Sequence, residues 1–309
     1  MLAIVNTPNQ PAPVELRDIP EPSTTPDQAL VEVHAFSFNR GELASFARNN
    51  EGWVPGQDIA GIVLRAAANG KGPQAGARVV ALVDDFGWAR RAAVPSHRMA
   101  ELPANVSFAQ AATLPVAGLT ALRTLRHGGA LVGRRVLITG AAGGVGTIAI
   151  QIAARSGADV TAVVGRPERA AGLLALGAAE VVHGIEAAQG RFALILESAG
   201  GASLATAIQL VEPPGIIVVY GNSSTEPTSI GFANFRGAPN ARIQTFSYFT
   251  SEPEDRFAPD LALLVSLIAD GSLKPQIGVE RSWRDLLQVA EMLRNRHVAG
   301  KAVLTTDEA

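Results

Sequence analysis

Four glycines fall within seven residues, Gly140 to Gly146, between the apolar run Val136–Thr139 and a helical pattern that continues to about Ser156. Small residues at a strand-to-helix turn let the backbone bend sharply and approach a pyrophosphate, whose charge is met by the amides of the helix N-terminus. Aligned on the dinucleotide fingerprint, Ala141 replaces the first glycine, and Gly143 and Gly146 hold the second and third. Ala142, Gly144 and Val145 complete the candidate phosphate cradle. Glycines alone also fit a plain tight turn. The apolar strand Asp159–Val164 at the following position adds the second strand that a dinucleotide site needs. Val136 to Ala154 carries no charge and has the length of a membrane span, but its glycines split it into strand, loop and buried helix.

The end of the second strand bears on which dinucleotide is bound. A site for NAD places an acid there, to accept from the ribose 2′-hydroxyl. Here Val164 runs into Gly165-Arg166-Pro167. Arg166 can grip a 2′-phosphate with two charge-assisted hydrogen bonds, and Arg169 one turn later can support it. NADPH is therefore the expected cofactor. Glu168 lies close by, where an acid in a first helical turn also has an ordinary dipole role.

The remainder of the chain divides by texture. Residues 1–112 read as strands and turns, with Pro8, Pro11, Pro13, Pro20, Pro22 and Pro26 excluding a long early helix. Helical composition begins at Phe108. From Arg135 onward, strands alternate with helices, including one expected over Pro167–Leu176, which predicts a parallel sheet covered on both faces. A mixed pattern closes the chain, with helices near 259–270 and 283–295 and a last strand at Ala302–Thr305. The 309 residues contain no cysteine, which removes thiolate zinc sites, iron–sulfur clusters and cysteine nucleophiles. The five histidines are scattered without metal-ligand spacing, so no metal is expected. A net charge of −2 gives no footprint for nucleic acid. The N-terminal segment lacks the basic flank and long apolar core of a secretory signal, so a cytoplasmic location is expected, without a membrane.

Further segments carry a resemblance: Phe38-Asn39, Val54-Pro55-Gly56 through Val63, Gly76 to Val80, Ala112 to Leu122, Leu176-Gly177-Ala178, Gly215 to Gly221 and Gly300 to Leu304. Together with the glycine loop, the chain resembles the medium-chain dehydrogenase/reductases, in their zinc-free quinone oxidoreductase branch. The resemblance implies an α/β protein of two domains. One is a GroES-like β-rich catalytic domain, split into residues 1–112 and 250–309. The other is a Rossmann domain, a doubly wound parallel sheet that binds NADP, at 113–249. It also implies a homodimer and hydride transfer to a quinone or an activated C=C bond of a small-molecule substrate, with an enoyl-thioester or natural-product tailoring reductase of the same fold, or a non-catalytic NADPH-binding protein, as the alternatives. Asn39 and Thr120 match positions where an amide and a hydroxyl meet the carboxamide or the substrate oxygen. Tyr220, Gly221 and Asn222 match a loop beside the nicotinamide half, and Lys301 matches a segment close to the cofactor. Zinc-dependent relatives carry ligands where this chain has Asn39 and Gln57. Many relatives place a tyrosine soon after Asn39, where this chain reads Glu42-Leu-Ala-Ser-Phe46. Phe38, Trp53, Phe86, Trp88, Phe232 and Phe246 are candidate apolar walls for the substrate.

Overall fold

A computed structural model describes residues 1–249 and 256–306. In chain order it begins with β1 (Leu2–Asn6), β2 (Val14–Asp18), β3 (Gln28–Phe38), α1 (Arg40–Ser45), β4 (Asp58–Arg65), β5 (Arg78–Leu82), β6 (Arg91–Pro95) and β7 (Met99–Glu101). Next come α2 (Phe108–Ala112), α3 (Pro115–Arg126), β8 (Arg135–Thr139), α4 (Gly144–Arg155), β9 (Asp159–Val164), β10 (Glu180–His183) and β11 (Phe192–Glu197). The chain ends with α5 (Gly201–Leu210), β12 (Val211–Val219), β13 (Arg242–Thr245), α6 (Phe257–Ala269), β14 (Ile277–Ser282), α7 (Leu286–Arg294) and β15 (Lys301–Thr305). Two compact units result, Met1–Leu119 with Pro253–Ala309, and Thr120–Glu252. The sequence boundary at residue 250 lies outside the described residues.

The first unit is organised on β3. Its seven-stranded sheet runs β14-β15-β3-β4-β5-β7, with β6 also paired to β3. The alternation of β3, one face buried and the other half-buried, is the period-two pattern of a strand with one face on a core. That core is aromatic at its centre: Trp88 packs against Phe36, Phe38 and Phe46, with ring centroids 5.5, 4.7 and 6.0 Å away. Such pairs add about 0.5–1.5 kcal/mol each to the burial of their area. Phe38 and Trp88 therefore belong to the core and not to a substrate wall, which corrects the expectation from sequence. Phe86 and Phe232 stand exposed instead, and half-buried Trp53 donates its indole N–H to Asp85.

The second unit is a six-stranded sheet, β10-β9-β8-β11-β12-β13, with every pair parallel. Chain order reverses between β8 and β11, and the crevice outside the strand ends at such a reversal is where open α/β sheets bind ligands. The expected helix over Pro167–Leu176 is not formed. A single 3₁₀ turn, Pro167–Ala170, gives way to turns, and Gly172 at φ +80° breaks any helical continuation. Among the described residues no helix is long and apolar enough to cross a membrane.

Candidate active site

In the first unit, strand register gathers a buried polar cluster. Ser37 on β3 pairs with Asp58 on β4, and Ala302 on β15 pairs with Phe38, so Lys301 arrives beside Asn39. Lys301 Nζ donates to Asn39 Oδ1 at 2.6 Å and to Asp58 Oδ2 at 3.0 Å. Asp58 Oδ2 also accepts from Asn39 Nδ2 at 2.8 Å and Ser37 Oγ at 2.5 Å, while Oδ1 accepts from the Val116 N–H at 2.7 Å. Asp58 is 0% exposed and Lys301 5%, so this ion pair is out of water and is supported by the four hydrogen bonds that Asp58 accepts.

Asn39 is the N-cap of α1, and its N–H donates to Glu42 Oε2 at 2.7 Å. The Gln57 N–H donates to Glu42 Oε1 at 3.1 Å. Burial, and then the Asp58 carboxylate, push the Glu42 carboxyl up to about 8, against the opposing pull of Lys301 and the two N–H donors. Glu42 is thus neutral at pH 7. Sequence reasoning named Asn39 and Lys301 but missed Asp58, Ser37 and the role of Glu42. Lys301, the first residue of β15, is buried. Asp58 gave no local signal, because an acid opening an apolar strand shows its partners only once β3 and β15 lie beside it.

In the second unit, the glycine loop has the form that the fingerprint predicts. Gly140 sits at φ +61°, and a Cβ there would come within 2.6 Å of Ser198 Oγ. At Gly146 a Cβ would come within 2.5 Å of the Ala141 carbonyl, so this glycine brings α4 down onto the loop. Gly143, the α4 N-cap, has only the Gly140 carbonyl near its Cβ direction, at 3.2 Å, and no side chain caps the helix. Gly143, Gly144 and Val145 are half-buried, while Ala142 and Gly146 are buried. Arg169 Nη2 donates to the Ala142 carbonyl at 3.0 Å and so braces the loop from the end of β9. Gly165 and Arg166 are exposed at that same end.

The next strand ends complete the crevice. Glu197, 0% exposed at the end of β11, accepts from the Ala199 and Gly200 N–H groups and from Ser203 Oγ. It fixes the loop facing the glycines. Tyr220 donates its hydroxyl to the Thr139 carbonyl at 3.3 Å, and burial pushes its pKa up to about 12. Asn222 accepts from Ser224 Oγ. A cavity of about 220 Å³ opens beside these strand ends, lined by Gly140, Val164, Gly165, Ile185, Glu186 and Ala199 among others. A loop whose Gly143 meets no side chain, an uncapped helix N-terminus and a small crevice beside it suit a pyrophosphate with an adenosine. Thr120, buried in α3, falls in this unit, and Asn39 and Lys301 in the other.

Two family comparisons agree with both halves of this description. Residues 25–122 match the alcohol dehydrogenase GroES-like domain, and residues 144–266 match the zinc-binding dehydrogenase family. The chain belongs to the medium-chain dehydrogenase/reductase superfamily. Within that superfamily it is 27% identical to the quinone oxidoreductase of Homo sapiens over 95% of this chain and 94% of that one. The solved structure of the quinone oxidoreductase from Coxiella burnetii is 26% identical and covers 99% of both chains, with a TM-score of 0.83. The Escherichia coli quinone oxidoreductase, solved in complex with NADPH, shares the fold at a TM-score of 0.87 and 22% identity, over 99% of this chain and 100% of that one. The chain has no cysteine to supply a thiolate ligand to zinc.

Proposed function

We propose that this protein is an NADPH-dependent reductase that transfers hydride, without zinc, to a quinone or to a C=C bond conjugated to a carbonyl. The observation that carries the reading is the glycine loop at the sheet's reversal point, open at Gly143 and braced by Arg169. The α4 N-terminus would meet the pyrophosphate, with Ala142 to Gly146 as its cradle. Arg166 and Gly165, at the end of β9, would face the 2′-phosphate. Tyr220, Gly221 and Asn222 would border the nicotinamide half. Bound NADPH supplies a hydride from C4 of its nicotinamide. The protein's part is placement and charge stabilisation, with the Asn39 amide and Thr120 hydroxyl as donors toward the carboxamide or acceptor oxygen. Tyr220 donates its hydroxyl to the Thr139 carbonyl and serves as a wall of the nicotinamide half of the site. The proton comes from solvent.

The reading includes a cytoplasmic location and a homodimer. β13 is the sheet's edge strand, exposed along its whole length, and Ile243 within it and Ile230, Phe232 and Phe235 before it are exposed apolar side chains. An edge of this kind is a template for pairing with a second copy. Sedimentation of the purified protein tests the dimer, and a monomer at micromolar concentration contradicts it. The activity itself is tested by NADPH consumption with a panel of quinones, enones and enoyl thioesters. Turnover with at least one class is expected. No turnover with any of them, or a preference for NADH, overturns the reading.

A further inference from the structure

Asn39 is held in one orientation by two partners of opposite kind. Lysine has only donors, so Lys301 fixes which end of the amide is Oδ1, and a carboxylate has only acceptors, so Asp58 fixes Nδ2. One N–H of Nδ2 goes to Asp58, and the second has no acceptor among the described residues. Asn39 is half-exposed, whereas Asp58, Ser37, Glu42 and Lys301 are all buried. An ammonium on an amide oxygen draws electron density from the nitrogen, so the free N–H becomes a stronger donor than that of an ordinary asparagine. An ion pair at this depth adds little stability over an apolar pair of the same volume, which points to a role beyond holding the fold.

We propose that Lys301 and Asp58 are positioning residues that lock the Asn39 amide, with Lys301 polarising it through Oδ1, so that its free N–H stabilises the charge developing on the acceptor's carbonyl oxygen. The inference rests on the functional reading above. The charged groups acting on Glu42 are Asp58 on β4 and Lys301 on β15. Arg40 lies on its own helix, α7 packed against that helix carries Glu291 and Arg294, and Arg296 follows α7. Below about pH 8 the buried trio is one cation, one anion and one neutral acid. Above it, two carboxylates face one ammonium, and the pull of Lys301 on Asn39 Oδ1 is offset.

The variants are Lys301→Met, Lys301→Arg, the charge-free pair Lys301→Met/Asp58→Asn, and Glu42→Gln, each followed for kcat, KM and the dissociation constant of NADPH. Losing one charge-assisted contact predicts a fall in kcat of roughly 10- to 100-fold for Lys301→Met, with NADPH affinity within about threefold of wild type. Lys301→Arg recovers part of this, because the cation remains. The charge-free pair leaves no buried charge unpaired, so it keeps the fold if Lys301→Met does not, and its kcat is equally low. Wild-type kcat declines above about pH 8, and Glu42→Gln removes that limb. In the cofactor-free protein, ¹⁵N-labelled asparagine shows slow exchange of the one Asn39 side-chain proton that Asp58 holds, and Lys301→Met speeds it. Unchanged kcat in the charge-free pair, or a kcat loss matched by lost NADPH affinity, overturns the positioning role. A wild type that turns over no acceptor overturns the functional reading, and this inference with it.

Discussion

Replacing Glu42 by glutamine separates a neutral buried acid from a charged one. The unfolded chain loses this proton near pH 4.5, whereas the native protein keeps it to about pH 8. A group whose folded pKa is raised contributes its stability in full below the unfolded value and loses it as pH climbs to the folded one. Each pH unit between the two costs about 1.4 kcal/mol, so roughly 4 kcal/mol disappears between pH 5 and pH 9. That is a large part of a typical total of about 5–15 kcal/mol. Glutamine cannot ionise, so this slope vanishes in the variant. The substitution also has a constant penalty, because the Asn39 and Gln57 N–H groups both donate to this carboxyl and the amide NH₂ cannot accept from either. One unmet N–H costs about 1–3 kcal/mol at every pH. Glu42→Gln is therefore less stable than wild type at pH 5, and the order reverses by pH 9. Urea unfolding followed by tryptophan fluorescence, with Trp88 and Trp283 buried in the same unit, measures both curves. A difference between the two proteins that stays constant within about 1 kcal/mol over this range refutes the neutral Glu42.

Gly143→Val should abolish NADPH binding while leaving unfolding nearly unchanged, because only the Gly140 carbonyl crowds a Cβ there; unaltered affinity in the folded variant contradicts a phosphate role. Gly146→Ala should cost about 1–3 kcal/mol of stability by overpacking against the Ala141 carbonyl, read as a lower urea midpoint. Arg166→Ala should weaken NADPH by about 1.5–3 kcal/mol, the scale of a hydrogen bond to a charged group, with little change for NADH and a smaller effect at high salt. Arg169→Ala should instead weaken both cofactors together, since its guanidinium holds the loop through the Ala142 carbonyl. Exhaustive chelation should leave turnover intact, and a loss restored by added zinc contradicts the zinc-free reading.

What the sequence displayed and what it hid divide along a physical line. The glycine loop, β8 and β9 were legible because the pyrophosphate turn depends on contiguous residues whose backbone freedom and apolar runs are local properties. The absent helix at Pro167–Leu176 was misread because composition favoured it, while Gly172 takes a left-handed conformation that stops it after one turn. Asn39 and Lys301 were visible only through family resemblance. Their direct contact across 262 positions follows from the register of β15 on β3, which no local pattern encodes. Asp58 stayed hidden for the same reason. Trp88 and Phe38 looked like substrate walls because an aromatic side chain in sequence does not reveal whether it faces a core.

The central claim is that this chain passes a hydride from bound NADPH to an electron-poor acceptor at a site built from Asn39 and its buried partners. NADPH deuterated at C4 on the transferred face, incubated with the enzyme and an enone in ordinary water, tests it most directly, with the product examined by mass spectrometry and NMR. The expected result is deuterium on the β-carbon and a solvent proton on the α-carbon, with Lys301→Met giving the same product more slowly. An unconsumed cofactor, or a product whose label has been lost to water, contradicts it.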